Sequence, residues 1–193
     1  MRKLTIIGSG NIGFSLAKGL IKSKDYEARE IVLTRRSLSS LSEEESLGFG
    51  ISDNNLTAVK DADIIVLAVL PQQIRKVMEE IAPSLVPNQI IVSVASGVSC
   101  QDIKDVLGQD TIAVRAMPNT AIAIGQSMTC ISTDNASTEV VAKVEKLFEA
   151  VGSVIVIQED LMTAATALCA CGIAFFLRAI RAASQGGVEI GFH

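Results

Sequence analysis

Apolar residues gather in short runs, and polar stretches of helical period separate those runs. Leu4 to Ile7 is the first run. It ends at Gly8, and from Asn11 to Ser23 the residues Ile12, Leu16 and Leu20 recur at helical spacing, which predicts strand, glycine turn and helix. A second strand is predicted at Ile31-Val32-Leu33-Thr34, and after a polar stretch Ile64 to Val69 reads as a strand buried on both faces. Further strands are expected at Ile90 to Val94, Ile112 to Arg115, Met128 to Ile131 and Val154 to Ile157, alternating with helical patterns such as Ser137 to Val151. Strand alternating with helix is the mark of an α/β fold with a doubly wound, mostly parallel sheet. Ser37 to Ser46, rich in serine and acid, reads as a solvated loop or helix start.

After Gln158 the texture changes, because Leu161 to Leu177 carries no charge and is rich in Ala, Leu, Cys and Phe. The simplest division is a unit over 1–158 and the beginning of a helical unit over 159–193. One long, buried helix is expected there. A membrane span is the competing reading, but the uncharged stretch is at the short edge of the required length, and Thr163, Thr166 and the Glu159-Asp160 pair dilute it. A helix apolar all round must be covered, and the few residues after Arg181 cannot do so from within the chain. A partner or a further segment is therefore expected, and self-association as a dimer or larger assembly is the natural outcome.

Composition narrows the function. With 20% charged residues, 49% apolar residues and a formal net charge of -4 over 193 residues, the chain has the balance of a soluble globular protein. Basic residues are scattered and aromatic residues amount to only 4%, which argues against a nucleic-acid partner. The basic start, Met1-Arg2-Lys3, leads into an apolar stretch that soon breaks at glycine, with no cleavage site after it, so a cytoplasmic location is expected. Cys100, Cys130, Cys169 and Cys171 form neither a dense disulfide framework nor paired knuckles, and reduced thiols with no metal site are the expectation. Cys169 and Cys171, two apart on a helix, point away from each other.

Gly8-Ser9-Gly10-Asn11-Ile12-Gly13 has the G-x-G-x-x-G spacing, and its setting between a predicted strand and a predicted helix gives that spacing force. The first glycine permits the tight turn, the second lets backbone approach a pyrophosphate, and the third lets helix pack closely on strand. The helix N-terminus then offers unpaired N–H groups to phosphate. A Rossmann dinucleotide-binding unit is the result. Choice of dinucleotide rests on the tip of the second strand, Thr34-Arg35-Arg36-Ser37, where no acid occurs until Glu43. An acid would bind the ribose hydroxyls of NAD; two guanidiniums and two hydroxyls in its place suit the 2′-phosphate of NADPH. NADPH is the expected cofactor, with NADH a possible substitute.

In an open parallel sheet the ligand lies outside the carboxyl ends of the strands, so the loops there carry the remaining information. Ala68-Val69-Leu70-Pro71-Gln72 stops a strand at a proline that also opens the next helix; Ser93-Val94-Ala95-Ser96-Gly97 leaves room for a flat ring; Met117-Pro118-Asn119-Thr120 sets a polar pair beside a proline. Together with the glycine turn, these loops resemble pyrroline-5-carboxylate reductase. That family's Ala-Val-Lys-Pro-Gln is similar to Ala68 to Gln72, its Met-Pro-Asn-Thr to Met117 to Thr120, and its Thr-Ala-Leu-Ser-Gly-Ser-Gly-Pro-Ala-Tyr to Thr166 to Phe175. The departures are Leu70 for Lys, Ala121 for Pro, cysteines for both helix serines, and Ile173 for Pro, which is expected to straighten the helix.

The resemblance implies NADPH-dependent reduction of 1-pyrroline-5-carboxylate to proline by a homo-oligomer. It also implies that this sequence stops short of the family's substrate-carboxylate loop. Residue types agree with borrowed chemistry, since the one histidine is His193 and no nucleophile set can be assembled. On the family pattern Asn55 lies beside the cofactor, and Glu159, Asn119 and Thr166 are candidates for the substrate side. Glu159 has a plainer reading as an acid favoured at a helix N-terminus. Two other functions stay open: an NADP-linked reductase of the β-hydroxyacid dehydrogenase type, which uses a lysine that this chain lacks after Lys146, and a binding module that holds NADP without chemistry.

Overall fold

The computed structural model describes residues 3–192; the Met1-Arg2 start and the lone histidine, His193, lie outside the described residues. In chain order the elements are β1 (Leu4–Ile7), α1 (Asn11–Ser23), β2 (Ile31–Thr34), α2 (Ser42–Ser46), β3 (Gly50–Ser52), α3 (Asn55–Ala58), β4 (Ile64–Leu67), α4 (Pro71–Ile81), β5 (Ile90–Ser93), α5 (Cys100–Leu107), β6 (Ile112–Met117), β7 (Ser127–Thr133), α6 (Thr138–Glu149), β8 (Gly152–Val156), α7 (Met162–Ala165) and α8 (Gly172–Glu189). The strands form one eight-stranded sheet in the order β3-β2-β1-β4-β5-β6-β7-β8. Every pairing is parallel except β6 with β7, where register runs antiparallel from Val114–Thr133 to Met117–Cys130.

Side-chain alternation along the strands divides the core between the two faces of the sheet. Leu4, Ile6, Ile64, Val66, Ile90 and Val92 pack with Leu16, Leu20, Leu147 and Phe148 on the face covered by α1 and α6. Ile7, Ile65, Leu67 and Ile91 pack with Ile74, Met78 and Ile103 on the face covered by α4 and α5. Continuous apolar strands buried on both sides follow from this double cover. β3 carries no apolar run; its three residues are only half-buried at the sheet edge, and the hydrophobic pattern gave no sign of it.

The helix expected after Gln158 is present but neither regular nor buried. A 3₁₀ turn at Glu159–Leu161 leads into α7, then a π-helical segment at Thr166–Cys171, then α8. Ile173 itself lies in regular α-helix at the start of α8, and the π-helical segment ends two residues before it. A π turn shifts the backbone hydrogen bonds by one residue, and a side chain takes part in satisfying the segment: Asn119 Nδ2 donates to the carbonyl of Cys169 at 3.0 Å. Only the start of the run is held by the sheet, through Met162 with Ala165 and Cys169 against Met117 and Cys130. Beyond it Phe175 is 73% exposed and Phe176 63%, so burial of α8 is not supplied within the described residues. By length and composition the run Glu159–Glu189 is also long and apolar enough to cross a membrane.

β1 and α1 are joined with almost no free space. Gly8 has φ of 102°, and a Cβ built on it would lie 2.4 Å from the carbonyl oxygen of Ala68; one built on Gly13 would lie 2.3 Å from the carbonyl oxygen of Gly8. Both contacts are with backbone, which cannot rotate aside. Gly13→Ala is expected to lower stability by about 1–3 kcal/mol, a fall of several degrees in melting temperature. A calorimetric melting point equal to that of the parent chain would contradict the packing described here.

Candidate functional site

The order of strands reverses between β1 and β4, and such a switch point opens a crevice at the carboxyl ends of the strands. A cleft of about 860 Å³ lies there, lined by the loops that follow β1, β2, β3, β4 and β5. That volume is in the range of small-molecule and cofactor sites. Of the residues expected from sequence, Gly8, Ser9, Gly10, Asn11, Ile12, Thr34, Arg35, Arg36, Asn55, Ala68, Val69, Leu70, Pro71 and Ser96 line it; Gly13 and Gly97 do not. Gly13 sits beneath the turn against Gly8, and Gly97, at φ of 75°, turns the chain just past Ser96.

Local chemistry explains why the turn faces the cleft. The N–H groups of Gly8 and Ser9 donate to the carbonyl of Thr34 at 3.2 and 3.0 Å, which ties the turn to the end of β2. Gly10 is the N-cap of α1 and no side chain caps the helix, so its first-turn amides stay available to an anion. A Cβ on Gly10 would meet nothing within 4 Å, so the second glycine looks onto open space. The part of the cleft at the end of β2 is built by tertiary contact: Thr34 Oγ1 donates to Asn55 Oδ1 at 2.7 Å, and Asn55 Nδ2 donates to Glu80 at 3.3 Å. Arg35 donates its backbone N–H to Ser52 at 3.1 Å and its Nη1 to the carbonyl of Ser40 at 3.2 Å.

One expectation needs correcting. The edge beside Arg35 and Arg36 is free of acid only along the local sequence, because Asp53 after β3 and Glu80 on α4 line the same cleft. Lys76 joins them, so the edge holds three cations and two carboxylates. β3 escaped the sequence pattern, and the α4 contribution was missed too. A signal for the latter existed: Gln72, Gln73, Lys76, Val77 and Glu80 recur at helical spacing on one face of α4.

The three substrate-side candidates do not line the cleft, and their polar atoms are engaged elsewhere. Asn119 is buried; its Oδ1 accepts from Ala121 N–H at 3.0 Å while its Nδ2 reaches Cys169. Thr166 Oγ1 donates to the Met162 carbonyl one turn back, at 2.7 Å. Glu159 Oε1 accepts from Arg115 Nη1 at 3.1 Å and from the backbone N–H of Cys100, the first residue of α5, at 2.8 Å. A helix N-terminus does hold this acid, but it is that of α5 rather than that of its own run. The pair sits among buried groups, and the Cys100 thiol beside it is pushed up to about 12, first by burial and then by the Glu159 charge.

Sheet order, glycine turn and cleft together define a dinucleotide-binding domain of the Rossmann class. A family model described as "NADP oxidoreductase coenzyme F420-dependent" matches residues 3–97, and one described as "Pyrroline-5-carboxylate reductase dimerisation" matches residues 159–193. The chain is 43% identical to pyrroline-5-carboxylate reductase 1 of Dictyostelium discoideum, aligned over 98% of this chain and 37% of that protein. It is 40% identical to pyrroline-5-carboxylate reductase 2 of the same organism, over 100% of this chain and 70% of that protein. It superposes on a pyrroline-5-carboxylate reductase from Coxiella burnetii with a TM-score of 0.92 at 30% identity, covering 100% of this chain and 72% of that one. The chain belongs to the pyrroline-5-carboxylate reductase family. It spans little more than a third of the first of these relatives and about 70% of the second.

The Arg115–Glu159 pair yields a prediction. Arg115 is 11% exposed at its side chain and its Nε has no partner, so Glu159 is the anion that balances this guanidinium. Glu159→Gln keeps an acceptor for Cys100 but removes the direct ion pair of Arg115, and with Glu159 itself 27% exposed the loss is expected to be about 1–3 kcal/mol. Urea denaturation measures it; an unchanged midpoint would show that the pair contributes nothing.

Proposed function

We propose that this chain is the cofactor-binding part of an NADPH-dependent reductase that converts 1-pyrroline-5-carboxylate to proline, working as a homo-oligomer in the cytoplasm. The observation that carries the reading is the uncapped N-terminus of α1 behind Gly10, beside the cleft that Arg35 and Arg36 also line. Gly8, Gly10 and the first-turn amides of α1 would hold the pyrophosphate, and Thr34, Arg35, Arg36 and Asn55 the phosphorylated ribose. Ala68 to Pro71 and Ser96 would flank the nicotinamide. Bound there, the reduced cofactor supplies a hydride to the carbon of the cyclic imine.

What the chain itself contributes is position. A protonated cyclic imine takes its proton from water and needs no histidine acid, so the residues lining the cleft have only to align donor and acceptor and keep bulk water away. We assign residues 1–158 to cofactor binding and residues 159–193 to the start of the unit that associates and completes the substrate side. Glu159 and Asn119 serve that second task by fixing the junction between the two, and Thr166 by its bond within the run. Self-association covers α8, whose exposed Phe175, Phe176 and Ile180 then lie at a helix interface instead of in a membrane or against nucleic acid.

Oxidation of NADPH on addition of 1-pyrroline-5-carboxylate, followed on this chain and on a longer form carrying the rest of the family's length, tests the reading; turnover of a β-hydroxyacid in place of the imine would favour the rival dehydrogenase. Arg35→Asp is expected to weaken NADPH binding by tenfold or more, about 1.4 kcal/mol or above, and NADH much less. Equal loss for both cofactors would remove Arg35 from 2′-phosphate recognition. Light scattering over a concentration series should show a dimer or larger species, and a monomer throughout would count against α8 as the interface.

A further inference from the structure

The acidic stretch after β2, expected to be solvated, hides one of its carboxylates. Glu44 on α2 is 4% exposed, whereas its neighbours Glu43 and Glu45 face solvent. Its Oε1 accepts from the hydroxyl of Ser9 at 2.6 Å, and Ser9, the residue between the first two glycines of the turn, is itself 3% exposed. Glu43 reaches Lys18, but Glu44 makes no ion pair among the described residues. Arg35 shares with Glu44, Ser9 and Gly10 a polar recess of about 300 Å³ and is bonded to the carbonyl of Ser40.

A buried carboxylate without a cation is a costly way to accept one hydroxyl, since a neutral acceptor would satisfy Ser9 equally well. The charge therefore calls for a role of its own. It stands one hydrogen bond behind the turn whose amides face the cleft, and the ligand assigned to that turn carries two phosphate charges. Like charges in such a partly buried setting repel through a lowered effective dielectric. We propose that Glu44 is a positioning residue that sets cofactor affinity: its acceptor oxygen holds Ser9, and with it the glycine turn, in the binding conformation, while its charge weakens the grip on the pyrophosphate. The used cofactor then leaves more readily than a neutral acceptor would allow. This inference rests on the dinucleotide reading of the cleft.

Calorimetric titration separates the two contributions. Three proteins are compared, the parent chain, Glu44→Gln and Ser9→Ala, each against NADPH and against adenosine 2′-monophosphate, which has the phosphorylated ribose but no pyrophosphate. Glu44→Gln keeps an acceptor for Ser9 and removes the charge, so NADPH should bind about three- to tenfold tighter while the mononucleotide changes less than about twofold. Ser9→Ala frees the turn and leaves the carboxylate without its donor, so NADPH should bind more weakly and the mononucleotide again stay level. Equal affinity of parent and Glu44→Gln for NADPH, or an equal gain for both ligands, overturns the inference. If Glu44→Gln does not fold, unchanged NADPH affinity in Ser9→Ala overturns it. Failure of the parent chain to bind NADPH at all is a different result, and it sinks the cofactor reading itself.

Discussion

The close approach of β1, α1 and the end of β4 at the glycine turn is the constraint on which the cofactor cleft depends. Gly8 and Gly13 lie against backbone carbonyls at distances that no Cβ could share, so the strand end and the helix start are held together with no side chain between them. This proximity directs the uncapped amides of α1 into the crevice at the switch point of the sheet. Move the turn outward by the width of a methyl group, and the helix end no longer faces the crevice between β1 and β4.

A second dependence runs through the far half of the sheet. Arg115 on β6, the first amide of α5 and the carboxylate of Glu159 meet at one point, so the start of the helical run is tied to the strand and to the helix that follows the Ser96–Gly97 loop. Asn119 makes a second tie by bonding within the π segment. The run therefore leaves the sheet at a defined position even though most of α8 has no cover of its own. α8 is thus an apolar helix left uncovered among the described residues, in the segment, residues 159–193, that the dimerisation family model matches.

Electrostatics around the cleft are mixed rather than uniformly positive. Arg35, Arg36 and Lys76 are accompanied by Asp53 and Glu80 at the same edge, with Glu44 buried behind the turn. On the proposed reading, specificity for a phosphorylated ribose would rest on the direction in which the guanidiniums and Thr34 and Asn55 point, more than on net charge. Hydrogen bonds among Thr34, Asn55 and Glu80 link β2, α3 and α4, and they orient these groups before any ligand arrives.

Local pattern was enough to read the strands at Leu4, Ile31, Ile64 and Ile90, the helix from Asn11 to Ser23 and the glycine turn, because each is specified by neighbours within one or two turns of chain: hydrophobic period, a helix start, a residue free to take positive φ. Most of the residues lining the cleft were legible for the same reason, since they follow those strands directly. What the chain pattern could not contain is whatever depends on distant segments meeting. β3 has no apolar run and exists through its pairing with β2; Asp53 and Glu80 reach the cleft through β3 and α4; Glu159 turns to Arg115; Glu44 is buried by Ser9 across 35 residues. Periodicity records which face of an element is covered, whereas the identity of the group that covers it is decided only when the sheet is assembled.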